Sequence, residues 1–264
     1  MSRIPETLLA SVRAQVAARE ARMPLAEIKE RALARPRPQG RMQALRGERV
    51  AVIAELDPVN AECCALVEQW EDCGVGAIAM APAAHPSPQP WRQLAAVSSR
   101  TRMPVLCMDL VVSSYQLWEA RAHGADLVLL TAAALPREAL VSLVERTASL
   151  GLTALVEVRD GPDLGLALRA GARAVLVRAP EHADAEAARA AIRELLPMVP
   201  GDVVRVAECG PAGRSDLIAY ARQGADAVLL GRAALAGTDP CATLTGLVSI
   251  GAHPSLARRG AQTV

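Results

Sequence analysis

A glycine-led segment that occurs four times constrains the fold of this chain more than any other feature. Its copies begin at Gly74, Gly124, Gly171 and Gly224, so they recur after 50, 47 and 53 residues. Each copy follows a helical pattern and continues into a short apolar run. Glycine ends helices because it adopts the left-handed conformation at no steric cost. An unbroken apolar run is typical of a strand buried on both faces. Each copy therefore predicts a helix followed by a buried strand.

Four further apolar runs of similar size lie before and between the copies, at residues 50–56, 104–108, 152–158 and 203–207. Eight strands that alternate with helices over roughly 200 residues predict a (β/α)8 barrel. An open doubly wound sheet is the structural alternative. The even spacing disfavours it, as does the lack of a G-x-G-x-x-G segment after the first strand.

The 264 residues fit one structural domain with three parts. Residues 1–48 predict an N-terminal helical extension that is broken at Pro24, and residues 49–252 predict the barrel. Residues 253–264 are expected to be a loosely held tail. The pattern does not decide whether the extension covers the bottom of the barrel or reaches its mouth. The loop at 82–90 contains four prolines, which predicts a non-helical segment. Its role, as a lid or as a partner contact, stays open.

Composition limits the partners of the protein. A net charge of +1 provides no field that would recruit nucleic acid or an anionic membrane. No apolar run is long enough to span a bilayer, and the N-terminus lacks a secretory signal core. We therefore expect a cytoplasmic protein with a small-molecule substrate or ligand, either a monomer or a homodimer. The six cysteines lack C-x-x-C spacing, which indicates reduced thiols.

Charged residues follow several of the predicted strands, where the active sites of such barrels lie. Glu55, Glu157 and Glu208 belong to the first, fifth and seventh strands, so their side chains are predicted to converge on one layer. A glutamate in an apolar strand is costly unless it is paired or used. Three at matching heights favour a functional site over separate ion pairs at the rim. Further candidates at strand ends are Asp57, Met80, Met108, Asp109, Arg159, Arg178, Cys209, Gly210, Gly231 and Arg232.

Two other kinds of chemistry are less favoured by these residues. Oxygen ligands from Glu55, Asp57 and Asp109 would suit Mg²⁺, but ion pairs at the rim explain them more simply. We predict neither a metal nor a cofactor. Cys209 is expected to be a passive replacement rather than a nucleophile, because the sequence places no histidine beside it.

Several of these segments together resemble indole-3-glycerol phosphate synthase over nearly the whole chain. The family closes and decarboxylates an anilino-deoxyribulose phosphate to form the indole ring of tryptophan. The resemblance implies the barrel, the N-terminal extension and a site at Glu55, Asp109, Glu157 and Glu208, with Gly210 and Gly231 near the phosphate. The matching segments include Val52-Ile53-Ala54-Glu55, Glu119-Ala120-Arg121-Ala122-His123-Gly124-Ala125-Asp126, Leu155-Val156-Glu157-Val158 and Gly224-Ala225-Asp226-Ala227-Val228-Leu229.

The chain departs from the family at its cationic positions. The family has lysine two residues after the first-strand glutamate, where this chain has Asp57, and a general-acid lysine where this chain has Met108. The Asn-Asn-Arg after the sixth strand is replaced by Arg178-Ala179-Pro180, and the serine after the seventh-strand glutamate is Cys209. The only lysine, Lys29, precedes the barrel.

Three interpretations follow from these departures. The one favoured by the sequence is an enzyme redirected to acid–base or shape-guided cyclisation of a more apolar substrate in a specialised pathway. In it Glu55, Asp57, Asp109, Glu157 and Glu208 are catalytic, and Met80, Met108, Arg178, Cys209, Gly210, Gly231 and Arg232 contact the substrate. The second is a non-catalytic barrel that binds a ligand or a partner. The third is a lyase with the family's own activity, in which Arg178 or Arg232 replaces the lysines.

Overall fold

The computed structural model describes residues 4–36, 45–84, 88–180, 182–210, 213–237 and 239–256. Eight parallel strands form a closed barrel in which every strand pairs with its sequence neighbours and β8 pairs with β1. The predicted (β/α)8 barrel is therefore confirmed, and the open sheet is excluded. The strands are β1 (Ala51–Glu55), β2 (Ala77–Met80), β3 (Val105–Cys107), β4 (Leu127–Thr131), β5 (Thr153–Val158), β6 (Ala174–Val177), β7 (Val204–Cys209) and β8 (Ala227–Leu230).

Helices surround this barrel and precede it. The repeated glycines behave as predicted, because Gly74, Gly124, Gly171 and Gly224 all have positive φ, between 79° and 92°. The helices are α1 (Glu6–Arg22), α2 (Leu25–Ala34), α3 (Cys63–Asp72), α4 (Gln89–Arg100), α5 (Ser114–Ala122), α6 (Arg137–Ser149), α7 (Gly161–Arg169), α8 (Ala185–Leu195), α9 (Arg214–Arg222) and α10 (Pro240–Gly251).

The proline-rich loop differs from its prediction at both ends. Pro82–Ala84 forms a short 3-10 helix, and α4 already begins at Gln89 with Pro90 in its first turn. Proline is tolerated there because the first N–H groups of a helix have no acceptor within the helix. Residues 85–87 lie outside the described part of the chain.

Side chains of the strands alternate between two apolar layers. One layer fills the barrel interior, and residues such as Ile53, Leu155 and Val206 belong to it. The other lies between the barrel and its helices, and it includes Val156 and Val228. This alternation determines which side chains can reach the barrel mouth.

The N-terminal extension packs against α5 and also closes the bottom of the barrel. The Tyr115 hydroxyl donates to the Met23 carbonyl at 2.9 Å, and Arg19 Nε contacts both carboxylate oxygens of Glu119 at 2.9 and 3.1 Å. Leu45 is fully buried within the interior layer. Arg46 donates to the carbonyls of Gly201 and Asp202, just before β7. Of the two positions left open by the sequence, the barrel bottom is the one observed for Leu45.

Other expectations are met in part. All six cysteines are free thiols, and three of them are buried. Pro254–Leu256 forms a short 3-10 helix, whereas residues 257–264 of the expected tail lie outside the described chain. Within the described ranges, the structure contains no helix that is both long and apolar enough to cross a membrane.

Candidate active site at the barrel mouth

The three glutamates reach the mouth because each continues the inward-facing series of its strand. Glu55 follows Ile53 by two residues, and Glu157 and Glu208 follow interior residues in the same way. Successive side chains of a strand alternate between faces, so a residue two positions on points the same way. The structure therefore brings the three glutamates to the carboxyl end of the barrel, as predicted.

Arg178 joins two of these glutamates. Its Nη1 donates to Glu157 Oε2 at 2.9 Å, and its Nη2 lies 2.7 Å from Glu208 Oε1. Arg159 Nε donates to the other Glu157 oxygen at 2.8 Å. The Glu157 side chain is only 2% exposed. Burial lowers the pKa of Arg178, but the two carboxylates outweigh burial and raise this pKa above its ordinary value. The guanidinium is therefore a fixed positive charge between two acids.

Arg232 holds the remaining glutamate in a more exposed group. Its Nε lies 3.2 Å from Glu55 Oε1, and its Nη1 lies 3.2 Å from Asp57 Oδ2. The Arg232 side chain is 50% exposed. Each of the three glutamates thus has an arginine partner, which is the arrangement of ion pairs at the rim that the sequence favoured less. Across the described ranges, no group of three or more His, Cys, Asp or Glu side chains is placed to hold a metal ion.

Asp109 belongs to a separate hydrogen-bonded group. Its carboxylate accepts from the Ala83 N–H at 2.8 Å and from the Cys107 thiol at 3.3 Å. Burial raises the pKa of Asp109 to about 6, against the opposing effect of these two donors. The contacts direct Asp109 towards the segment after β2, away from the arginine-bound glutamates. Its predicted catalytic role gains no support from this position.

Two predicted substrate contacts face the wrong way. Met80 is fully buried in the layer between the barrel and its helices, and Cys209 belongs to the same outer layer. Both residues are out of phase with the inward-facing positions of their strands. Burial, followed by the charges of Asp216 and Glu208, raises the pKa of the Cys209 thiol far above its ordinary value. This shift agrees with the passive role expected for Cys209. Met108, in contrast, packs against the interior layer and remains at the mouth.

The two glycines offer less to an anion than the sequence suggested. The Gly210 N–H already donates to Asp216 Oδ2 at 3.0 Å. A side chain on Gly231 would lie 3.5 Å from the carboxylate of Glu55. Sequence reasoning missed Asp216, although its place in the first turn of α9, just after a strand end, could have indicated it.

A closed (β/α)8 barrel whose ionisable side chains meet at the carboxyl ends of the strands has the site location of barrel enzymes. Comparison with known proteins narrows this class. The family model for indole-3-glycerol phosphate synthase matches residues 89–247. The chain is 42% identical over 260 residues to an indole-3-glycerol phosphate synthase of Streptomyces griseus, covering 95% of this chain and 97% of the relative. It is 43% identical over 259 residues to that of Mycobacterium avium, with 95% of each covered. The chain belongs to the indole-3-glycerol phosphate synthase family.

Solved structures that resemble the chain at low identity support the fold alone. The 3-hexulose-6-phosphate synthase of Salmonella typhimurium aligns with a TM-score of 0.65 at 17% identity, covering 76% of this chain and 98% of that one. The tryptophan synthase alpha chain of Legionella pneumophila aligns with a TM-score of 0.59 at 14% identity, covering 84% and 94%.

Proposed function

We propose that this protein acts on the substrate class of its family, an anilino sugar phosphate that also carries a carboxylate. The reaction would be the family's ring closure with loss of carbon dioxide, in which arginines replace the missing lysines. The observation that carries the proposal is the group of three arginines, Arg159, Arg178 and Arg232, that pair with the three glutamates at the barrel mouth. Whole-length similarity to indole-3-glycerol phosphate synthases supports the same assignment.

The arginines of the mouth favour an anionic substrate over the apolar one expected from the sequence, although Glu55, Asp57, Glu157 and Glu208 outnumber them. Arginine binds carboxylate and phosphate through two parallel hydrogen bonds. Met80, which was expected to make the pocket apolar, lies outside the barrel interior. We therefore do not propose a redirected enzyme for a neutral substrate.

Proton delivery is the difficult step for such an enzyme. Met108 occupies the position of the family's general acid and has no proton to give. Glu157 or Glu208 would have to supply the proton to the leaving hydroxyl after Arg178 turns to the substrate. Loss of a general acid lowers rates by roughly 10²–10⁴-fold, so we expect slow turnover.

A second candidate is a barrel that binds this class of molecule without converting it. The residues at the two lysine positions favour it. Met108 is uncharged, and Asp57 contributes a negative charge that already pairs with Arg232. Under this candidate Arg178 and Arg232 would still bind the anionic groups.

A turnover assay with the family's substrate, followed by indole fluorescence, tests both candidates. We expect slow product formation that is lost in Glu157→Gln and Glu208→Gln. The Met108→Lys/Asp57→Lys double variant should be faster, whereas Val59→Lys, an exposed position in the same loop as Asp57, should not be.

Calorimetry with a reduced, non-cyclising substrate analogue separates binding from chemistry. Binding without product from the unmodified protein would overturn the lyase and support the second candidate. If the analogue does not bind and no product forms, both candidates are wrong.

A further inference from the structure

A cavity of about 620 Å³ lies between α8 and α9, behind the ends of β7 and β8. Six alanines form much of its wall, together with Ile192, Tyr220 and the outward-facing Cys209. Ligand sites in proteins usually measure roughly 300–1,000 Å³ and are mostly apolar with a few placed polar groups. The size and lining therefore fit a small organic molecule.

Asp216 supplies a polar group that the fold leaves incompletely used. Its side chain is only 2% exposed, and it lines the cavity. One oxygen, Oδ2, accepts from the Gly210 N–H at 3.0 Å. The other, Oδ1, has no hydrogen-bond donor in the described part of the chain, and the Arg189 guanidinium stays 3.8 Å away. Burial of an oxygen without a hydrogen-bond donor lowers the stability of the fold. A ligand that brings a donor to Oδ1 would recover part of this free energy.

The charges around the cavity restrict that ligand. Glu208 and Asp216 repel an anion, and the Gly210 N–H that could bind one is already occupied. Arg189 beside Asp216 disfavours a cation, and the alanine walls disfavour any charge. A neutral molecule with one N–H or O–H group meets all of these conditions.

We propose that this cavity binds a small, neutral, mostly apolar molecule that donates one hydrogen bond to Asp216 Oδ1. Much of the cavity lies behind the outer face of β7, where Cys209 points. Glu208, Gly210 and Gly231 also line it, so the cavity adjoins the arginine-bound mouth. The proposal does not rest on the proposed lyase activity, because Asp216 and the alanines of α8 take no part in that activity.

Two probes that differ in one donor test the proposal on the full-length protein. Indole is a flat apolar molecule with one N–H, and 1-methylindole lacks that donor. Calorimetry should show indole binding roughly tenfold more tightly. Equal affinities, or no binding of indole, would overturn the proposal.

Variants locate the binding and check the role of Asp216. Ala188→Leu on α8 fills the cavity and should abolish indole binding, whereas Ala190→Leu on the exposed face of the same helix should not. Asp216→Asn can still accept from Gly210 while presenting an N–H to the cavity. This variant should lose the preference for indole and bind quinoline, which has an acceptor nitrogen, at mildly alkaline pH. Unchanged preference in Asp216→Asn would show that Asp216 does not contact the ligand.

Discussion

The two sides of the barrel mouth stabilise buried carboxylates in different ways. On the β5–β7 side, Glu157 is 2% exposed and is held by the two guanidinium groups of Arg159 and Arg178. On the β2–β3 side, Asp109 is 6% exposed and is held by an amide N–H and a thiol. The first arrangement compensates a negative charge with positive charge. The second offers two neutral donors and the weaker attraction of the Arg19 charge, so burial still raises the pKa of Asp109 to about 6.

This difference shows that a carboxylate at the end of a barrel strand is not by that position alone a catalytic acid. Glu157 is bound to arginines, so its chemistry depends on those partners moving. Asp109 has a pKa that suits proton transfer, but its contacts turn it away from the three glutamates. The carboxylate that is paired with arginines and the carboxylate with the raised pKa therefore lie on different sides of the mouth.

The largest effect is expected from Arg178→Met. Glu208 would lose the contact with Arg178, and Glu157 would retain only Arg159. Removing one partner of a buried ion pair costs about 3 kcal/mol, because the other charge is left without compensation. Urea denaturation at neutral pH measures this loss. Arg178→Lys should recover part of it. A loss below about 1 kcal/mol would mean that the pairs behave like exposed ones.

A pH-dependent effect is expected from Asp109→Asn. The pKa of Asp109 is raised from 3.8 to about 6 on folding, so the folded state binds the proton more tightly. Stability therefore falls as pH rises from about 4 to about 6, and it stays lower above that range. The stability difference between the asparagine variant and the unmodified protein should therefore shift by roughly 3 kcal/mol in favour of the variant between acidic and neutral pH.

Urea denaturation of both proteins across this range provides the measurement. Asp202→Asn, which removes the same charge at an exposed position, serves as the control. It should not alter how the free energy of unfolding changes with pH. Parallel stability curves for Asp109→Asn and the unmodified protein would contradict the assigned pKa.

The smallest effect is expected from Arg232→Ala. Its partners Glu55 and Asp57 are more accessible than Glu157, and Arg232 is itself 50% exposed. Exposed ion pairs contribute about 0–1 kcal/mol and weaken with salt. Thermal unfolding at low and high salt should show a small difference that disappears in high salt. A loss as large as that of Arg178→Met would mean that the two arginines are equivalent.

The sequence predicted the barrel well because its signals are local. Each repeated glycine ends a helix, and each following run forms a strand, as at Gly124 and Leu127–Thr131. The direction of side chains at strand ends was harder to predict. A barrel strand is apolar on both faces, so the alternation that separates Met80 from the interior is invisible in its run of apolar residues.

The sequence also did not predict which side chains pair with each other across different strands. An arginine after β6 was apparent, but its position between Glu157 and Glu208 depends on the register of three strands. The same is true of Asp216, whose bond to Gly210 uses the N–H that was expected to bind phosphate. The local sequence pattern thus placed the charged side chains at the strand ends. Their contacts depend on how distant parts of the chain are arranged in the fold.

The position of Leu45 limits when the N-terminal extension can dock during synthesis of the chain. Leu45 precedes every strand, yet it belongs to the same interior layer as side chains from strands as late as β8. Arg46 beside it binds carbonyls at residues 201 and 202. During synthesis from the N-terminus, these contacts form only after most of the barrel has emerged. The extension must therefore remain available until late in synthesis, so that completion of the barrel and docking of its earliest interior residue become one event.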